Sequence, residues 1–131
     1  MAVKSWSLAE RERLAQAHFV QASRDAKQGK MLSAARHFRR AALLGNRRAM
    51  YYLGIQFLQG KGVPRSAYHA FCWLTLADVF EDPQAANALK KASAELTARE
   101  EILASRLAAD RFEQICDLEI GDSFQDQSFT R

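Results

Sequence analysis

Residues 49–77 read AMYYLGIQFLQGKGVPRSAYHAFCWLTLA, and this stretch decides the fold. It predicts two helices joined by a glycine-rich turn, because Gly60 and Gly62 end the first helix and Pro64 cannot lie inside one. Small residues stand where the two helices would approach each other, and large apolar residues would fill the space between them. The small residues are Ala49, Gly54 and Ala70, and the large ones are Leu53, Phe57, Phe71, Trp73 and Leu74. A single helical hairpin leaves apolar faces exposed, so we expect neighbours of the same kind.

The composition is that of an ordinary globular domain. The chain has 131 residues, of which 48% are hydrophobic and 26% charged, and this length is enough for one domain with its own core. The amino terminus lacks the basic-then-apolar pattern of a signal peptide, and no stretch reaches the roughly eighteen apolar residues of a membrane span. We therefore expect a cytoplasmic protein, in which Cys72 and Cys116 are reduced and buried.

The charges are distributed unevenly along the chain. The net charge is +4, but residues 1–70 carry thirteen Lys and Arg against three Asp and Glu, whereas residues 71–131 carry six against twelve. Such separation predicts a charged partner, or complementarity between the two halves of the chain. Homo-oligomers formed through the oppositely charged halves are one arrangement that this pattern allows.

Local signals predict six helices. Ser7 and Glu10 form a capping box before the first helix, and Thr97 and Glu100 form another before the sixth. Asp82 is predicted as the N-cap of the fifth helix, with Pro83 in its first position. The predicted helices span about 8–28, 33–44, 47–59, 66–80, from 83 onward and 98–118. Residues 119–131 are acidic, lack periodicity and are predicted to be a flexible tail.

Two of the predicted helices have informative apolar faces. The fourth is apolar almost all round, which is typical of a helix buried between others. The first has a stripe of mostly small residues on one side. This stripe consists of Leu14, Ala17, His18, Ala22 and Ala26.

A spacing of 36 residues relates the helices to one another. Ala49 and Leu53 recur as Ala85 and Leu89, and Ala34 and Phe38 precede Ala70 and Leu74 by the same distance. A period near the roughly 34 residues of tetratricopeptide repeats predicts an all-α fold, a short α-α superhelix (solenoid) of about three helical hairpins. The predicted domain covers residues 1–118, with a degenerate first hairpin over 8–45, the best repeat over 47–80 and a capping hairpin over 83–118.

The best repeat resembles a Sel-one-like repeat, a relative of the tetratricopeptide repeat. The family pattern is met by Ala49, Leu53-Gly54, Phe57, Gly60-Lys61-Gly62-Val63, His69-Ala70, Trp73 and Ala77. The chain departs from the pattern at Ser66, where Asp is usual, at His69, where a basic residue is usual, and at Leu76, where the first closing Ala is usual. The resemblance implies a scaffold that holds partner proteins or peptides. We expect no enzymatic activity and no cofactor.

In the architecture that the resemblance implies, the first helix of each hairpin lines a concave groove. Side chains there that do not pack inward should contact a partner, because ring area and amide hydrogen bonds suit a peptide. The predicted concave face consists of Gln16, Phe19, Ser23 and Lys27, then Arg48, Tyr51, Ile55 and Leu58, then Gln84, Asn87 and Lys91. The alternative is that Tyr51 or Phe19 packs on the next hairpin instead.

A basic patch provides a second candidate site. It consists of Arg36, Arg39, Arg40, Arg47, Arg48, Lys61 and Arg65. Such a patch suits nucleic acid, another anion or an acidic protein surface. Few aromatic residues are interleaved with these charges, and no nucleic-acid-binding motif is present. We therefore expect a protein or peptide partner rather than nucleic acid, and a merely solvated face is the competing interpretation.

Two further features are candidate sites. His69 and Cys72 stand three residues apart on a helix, but no other ligand has the spacing to complete a metal site, and Gly60-Lys61-Gly62 lacks the P-loop pattern. The tail suggests an intramolecular or intermolecular ligand for a basic groove. Its acidic residues Asp117, Glu119, Asp122 and Asp126 alternate with Ile120, Phe124 and Phe129. Docking of this tail into a neighbouring chain is a second route to a homo-oligomer.

Overall fold

The computed structural model describes residues 7–127, with side chains for residues 7–118. Its six helices are α1 (Leu8–Lys27), α2 (Met31–Leu43), α3 (Arg47–Gln59), α4 (Ala67–Val79), α5 (Ala85–Ser93) and α6 (Ala98–Gln127). This part of the chain contains no strand. The predicted all-α fold is confirmed, whereas the superhelical stacking of hairpins stays a prediction.

Side-chain caps fix several helix starts. The Ser7 hydroxyl accepts from the Glu10 N–H at 3.1 Å, and the Glu10 carboxylate accepts from the Ser7 N–H at 2.9 Å. Thr97 and Glu100 form the same reciprocal pair before α6, at 3.1 and 2.9 Å. These bonds satisfy main-chain donors that have no acceptor within the helix. Both predicted capping boxes are confirmed.

The turn between α3 and α4 needs its glycines. Gly60 and Gly62 have φ angles of 68° and 77°, in the left-handed region that favours glycine. A Cβ atom on Gly62 would overlap the main-chain carbonyl of Met31 at the start of α2. Gln56 strengthens this junction, because its Nε2 donates to the carbonyl oxygens of Met31 and Lys61, both at 3.1 Å. The turn therefore packs the second hairpin against the first.

Helix α4 is the centre of the packing. α1 packs on α2, α2 on α3 and α3 on α4, and α4 also packs on α5 and α6. Seven of the 13 residues of α4 are buried: Ala70, Phe71, Cys72, Trp73, Leu74, Leu76 and Ala77. The prediction of a helix buried between others is thus confirmed.

The last two helices do not form a hairpin like the first two pairs. The main neighbour of α6 is α4 rather than α5. Ala108 and Ile115 of α6 join the core around Trp73, and the Arg111 guanidinium carbon lies 4.5 Å from a Trp73 ring centroid. The buried residues of α5 are all alanines, so this short helix offers little apolar surface, whereas α4 offers large residues on several sides. The capping hairpin predicted over 83–118 is corrected accordingly.

Two predicted boundaries also need correction. α6 continues to Gln127, past the end expected near Leu118, because this stretch has no proline and its one glycine, Gly121, costs a helix only about 1 kcal/mol. The expected tail is therefore helical over 119–127, and residues 128–131 lie outside the described residues. α5 begins at Ala85 instead of Pro83, although the carboxylate of Asp82 accepts from the Gln84 N–H at 2.9 Å, the bond expected of the predicted cap.

The buried face of α1 differs from the predicted stripe. Arg11, Ala15, Ala22 and Asp25 are buried, whereas Ala17 is exposed. Asp25 is stabilised there because its carboxylate accepts from the side chains of Gln21 at 2.9 Å and Ser33 at 2.5 Å. The bond from Ser33 ties the end of α1 to the start of α2, whereas the bond from Gln21 lies within α1.

Within the described range, no helix is long and apolar enough to span a bilayer. Both cysteines lie in this range and neither forms a disulfide; Cys72 is buried and Cys116 is half-buried.

Candidate functional site

A cleft of about 400 Å³ lies between α3 and α5. It brings together six of the eleven predicted concave-face residues: Tyr51, Ile55 and Leu58 on one side, and Gln84, Asn87 and Lys91 on the other. Gln59, Pro83, Ala88 and Glu95 complete the lining. We call this site the α3–α5 cleft.

The two walls of the α3–α5 cleft differ in chemistry. Residues 51, 55 and 58 follow the i, i+4, i+7 spacing of one helical face, and their half-buried side chains form a largely apolar wall. Residues 84, 87 and 91 have the i, i+3, i+7 spacing and form an exposed wall of two amides and an ammonium group. Such a cleft can bury an apolar side chain and bind a peptide backbone at the same time.

Arg48 holds one end of this cleft in place. Its guanidinium donates to the carboxylate of Asp82 at 2.6 Å, to the side-chain carbonyl of Gln84 at 2.8 Å and to the Tyr52 hydroxyl at 3.1 Å. The same group lies 5.0 Å from the ring centroid of Tyr51. The Asp82 side chain is 0% exposed. Because Arg48 belongs to α3 and Asp82 precedes α5, this ion pair joins α3 to the connection before α5.

The electrostatics of Arg48 follow from these contacts. Partial burial disfavours its charged form, but the hydrogen bonds that it donates to Asp82 and Tyr52 outweigh burial and raise the pKa of Arg48 above its ordinary value. Arg48 is therefore committed to internal contacts. It positions Gln84 and Tyr51 instead of offering a free cation to a partner.

The concave-face residues of the first hairpin lie elsewhere. The Phe19 ring packs on Phe38 and Tyr52, with centroid distances of 5.8 and 6.1 Å, so the packing alternative holds for Phe19. The Ser23 hydroxyl donates to the Phe19 carbonyl oxygen at 3.0 Å within α1. Lys27 is exposed and lines neither this cleft nor the one described below. α1 thus contributes nothing to the α3–α5 cleft.

Three of the seven cations of the basic patch have internal partners. Besides Arg48, Arg47 donates to the Phe80 carbonyl oxygen at 3.2 Å, and Arg65 donates to both carboxylate oxygens of Glu95 at 2.6 and 2.7 Å. The remaining members, Arg36, Arg39, Arg40 and Lys61, are exposed. The patch is therefore only partly available to a ligand.

Two histidines that look isolated in the sequence meet in the structure. The Nδ1 atoms of His18 in α1 and His37 in α2 lie 3.0 Å apart, which requires one ring to donate and the other to accept. Burial, then the charges of His37 and Arg40, lower the pKa of His18. No third ligand joins the pair, since the described residues contain no group of three or more His, Cys, Asp or Glu that could hold a metal ion.

A second cleft, of about 330 Å³, separates α1 from the start of α3, and we call it the α1–α3 cleft. Its lining consists of Leu8, Arg11, Glu12, Ala15, Gln16, Leu44, Gly45, Asn46, Arg47 and Arg48. Gln16 is the predicted concave-face residue of α1 that reaches it. The sequence did not single out Arg11, because a charged residue on a helix is usually assigned to the solvent-facing side.

Comparisons of the chain with protein-family models, with curated proteins and with solved structures gave no match. Its function is therefore inferred from its own residues and their geometry.

Proposed function

We propose that the protein is a non-enzymatic adaptor of the cytoplasm that binds a peptide segment of a partner protein in the α3–α5 cleft. The observation that supports this function is the pairing of an apolar wall with an amide wall in one cleft of about 400 Å³. The resemblance of residues 47–80 to Sel-one-like repeats, which implies an interaction scaffold, supports the same function.

The two walls suggest what the peptide looks like. Tyr51, Ile55 and Leu58 favour one or two apolar side chains, since burying such a group contributes about 1.5–3 kcal/mol. The amides of Gln84 and Asn87 carry both donors and acceptors for an extended main chain. Lys91 favours an acidic residue beside the apolar one, because Glu95, the acidic residue of the lining, is already paired with Arg65.

The Arg48–Asp82 ion pair supports binding through preorganisation. Because Arg48 already holds the Gln84 amide at 2.8 Å, that side chain loses little freedom when a ligand arrives. Because fewer side chains have to be ordered on binding, the entropic cost is smaller and the same contacts give a higher affinity.

A displayed library of random short peptides, selected against the full chain, tests the proposal. We expect the selected peptides to combine apolar residues with acidic ones. A synthetic copy of one of them, followed by fluorescence anisotropy, should bind at least about tenfold more weakly to Tyr51→Ala, which corresponds to about 1.4 kcal/mol.

Two neighbouring lysines provide a matched control. Lys91 lines the cleft, whereas Lys90 is exposed on the same helix and does not. Lys91→Glu should weaken peptide binding and Lys90→Glu should not, although both change the net charge equally. Equal effects of the two substitutions, or wild-type affinity in a folded Tyr51→Ala variant, would refute the assignment to this cleft.

The alternative function, a nucleic-acid- or anion-binding module that uses the basic patch within residues 36–65, has less support. Three of its seven cations have internal partners, as described above. A titration of a single-stranded oligonucleotide at several salt concentrations separates the two functions, because nucleic-acid binding through these cations would weaken steeply with salt.

A further inference from the structure

A buried arginine of α1 lacks the partners that such a residue normally has. Arg11 is 3% exposed, and its Nε has no hydrogen-bond partner among the described residues. The two ion pairs among the described residues, Arg48–Asp82 and Arg65–Glu95, do not include Arg11. Burying a guanidinium without a carboxylate or a full set of acceptors is unfavourable for folding. The position of Arg11 is therefore not explained by stability.

Arg11 lines the α1–α3 cleft opposite the start of a 13-residue helix. Asn46 caps α3, because its side-chain oxygen accepts from the Ala49 N–H at 2.9 Å. The N–H groups of Arg47 and Arg48, in the first turn, have no acceptor within the helix. Main-chain donors at the positive end of a helix dipole favour a negatively charged group.

We propose that the α1–α3 cleft is a binding site for an oxyanion, a phosphate or carboxylate group. Three arginines line it against a single carboxylate, that of Glu12. The Arg48 guanidinium is engaged by Asp82, so the donors are the side chains of Arg11 and Arg47 and the first N–H groups of α3. Arg47 has donors to spare, since its guanidinium carries five N–H bonds and uses one nitrogen on Phe80.

The dimensions of the cleft allow more than a bare ion. Its volume of about 330 Å³ is roughly ten times the 30 Å³ or so that a water molecule occupies in the liquid. It therefore has room for an oxyanion and for part of the molecule that carries it. The α1–α3 cleft shares no lining residue with the α3–α5 cleft, so this proposal does not depend on peptide binding there.

Nuclear magnetic resonance on the full ¹⁵N-labelled chain tests the site directly. Inorganic phosphate, O-phosphoserine and acetate are titrated separately at constant pH and ionic strength. We expect saturable shifts of the main-chain N–H signals of Arg47 and Arg48 and of the Nε–H signal of Arg11. Tighter binding of phosphoserine than of phosphate assigns the site to a phosphorylated ligand, and the reverse order assigns it to the free ion.

Three variants separate a site from general charge attraction. Arg47→Gln should weaken phosphate binding at least fivefold, whereas Arg39→Gln, which removes the same charge from the exposed side of α2, should leave it unchanged. Arg11→Met should abolish saturation and yet unfold at the same or a higher temperature without phosphate, which a merely structural arginine would not do.

Two results would overturn the proposal. One is the absence of saturation in the wild-type chain at constant ionic strength. The other is equal weakening by Arg39→Gln and Arg47→Gln, which would mean that only net charge matters. If Arg11→Met does not fold, the comparison of Arg39→Gln with Arg47→Gln decides whether the α1–α3 cleft binds phosphate.

Discussion

A Cβ atom on Gly54 would lie 2.6 Å from Cγ of Leu74, so the main chain of α3 packs directly against a side chain of α4. Leu74 is fully buried, and Tyr51 and Ile55 pack against the same cluster. This close approach therefore sets the position of the apolar wall of the α3–α5 cleft. The proposed binding surface depends on a glycine that does not line it.

Gly54→Ala should destabilise the protein. The added methyl group overpacks the contact with Leu74, and such changes cost about 1–3 kcal/mol, offset by up to about 1 kcal/mol because alanine is the better helix former. We expect the free energy of unfolding, measured with urea, to fall by about 1–2 kcal/mol. In a Leu74→Ala background, Gly54→Ala should cost no stability. An unchanged stability of Gly54→Ala in the otherwise wild-type chain would contradict the packing argument.

The two glycines of the α3–α4 turn should differ in their sensitivity to substitution. Gly60→Ala and Gly62→Ala both place a side chain in the left-handed region, which costs about 1–2 kcal/mol. Only at Gly62 does the new Cβ also overlap main-chain atoms, those of Met31, whereas at Gly60 it meets the Arg65 Cβ at 3.0 Å. Urea unfolding should show the larger loss for Gly62→Ala, by about 1 kcal/mol or more. Equal losses would mean that the turn is not held against α2.

Stability should fall on mild acidification because of His18. Its pKa is lowered from the ordinary 6.5 by burial and by the charges of His37 and Arg40. The folded state therefore binds this proton less readily than the unfolded state does. The stabilisation is complete above pH 6.5 and is lost as the pH falls through the lower folded pKa.

The histidine effect can be measured as the urea midpoint between about pH 7.5 and pH 5. His18→Gln should flatten this dependence, with a residual slope from His69, whose pKa is lowered by burial and by Arg111. Asp25 does not interfere, because its pKa is lowered from 3.8 by the hydrogen bond from Ser33 and its contribution is lost only in stronger acid. An unchanged slope in His18→Gln would exclude the histidine pair as the cause.

The two cysteines should differ in reactivity. Burial raises the pKa of Cys72 to about 11, so almost none of this thiol is ionised at neutral pH, and its side chain is fully buried. Cys116 is only half-buried. Mass spectrometry after brief treatment with iodoacetamide should find Cys116 alkylated first in the native protein. Both should react at similar rates in urea, and equal native rates would show that Cys72 is more accessible than its packing indicates.

Several helix boundaries could be predicted because their signals are local. The Gly60 turn and the capping boxes at Ser7 and Thr97 each act within a few residues, and α3 begins and ends where the sequence predicts. The wall formed by Tyr51, Ile55 and Leu58 was expected from the architecture that the resemblance implies, and these three residues line the α3–α5 cleft.

Features that depend on distant residues were not predictable. Arg48 and Asp82 are 34 residues apart, and nothing near Ala98 indicates that α6 packs on α4. The buried face of α1 was misassigned because two of its members, Arg11 and Asp25, are charged. Ionisable residues at those positions make the true face resemble a solvated one.

The central position of α4 has a consequence for the order in which the chain folds during synthesis. α4 leaves the ribosome before α5 and α6, the helices that cover its remaining sides. Until α6 has emerged, Trp73 and Leu76 lack part of their cover and stay open to water or to a chaperone. We therefore expect the core to close only after most of the polypeptide has been translated.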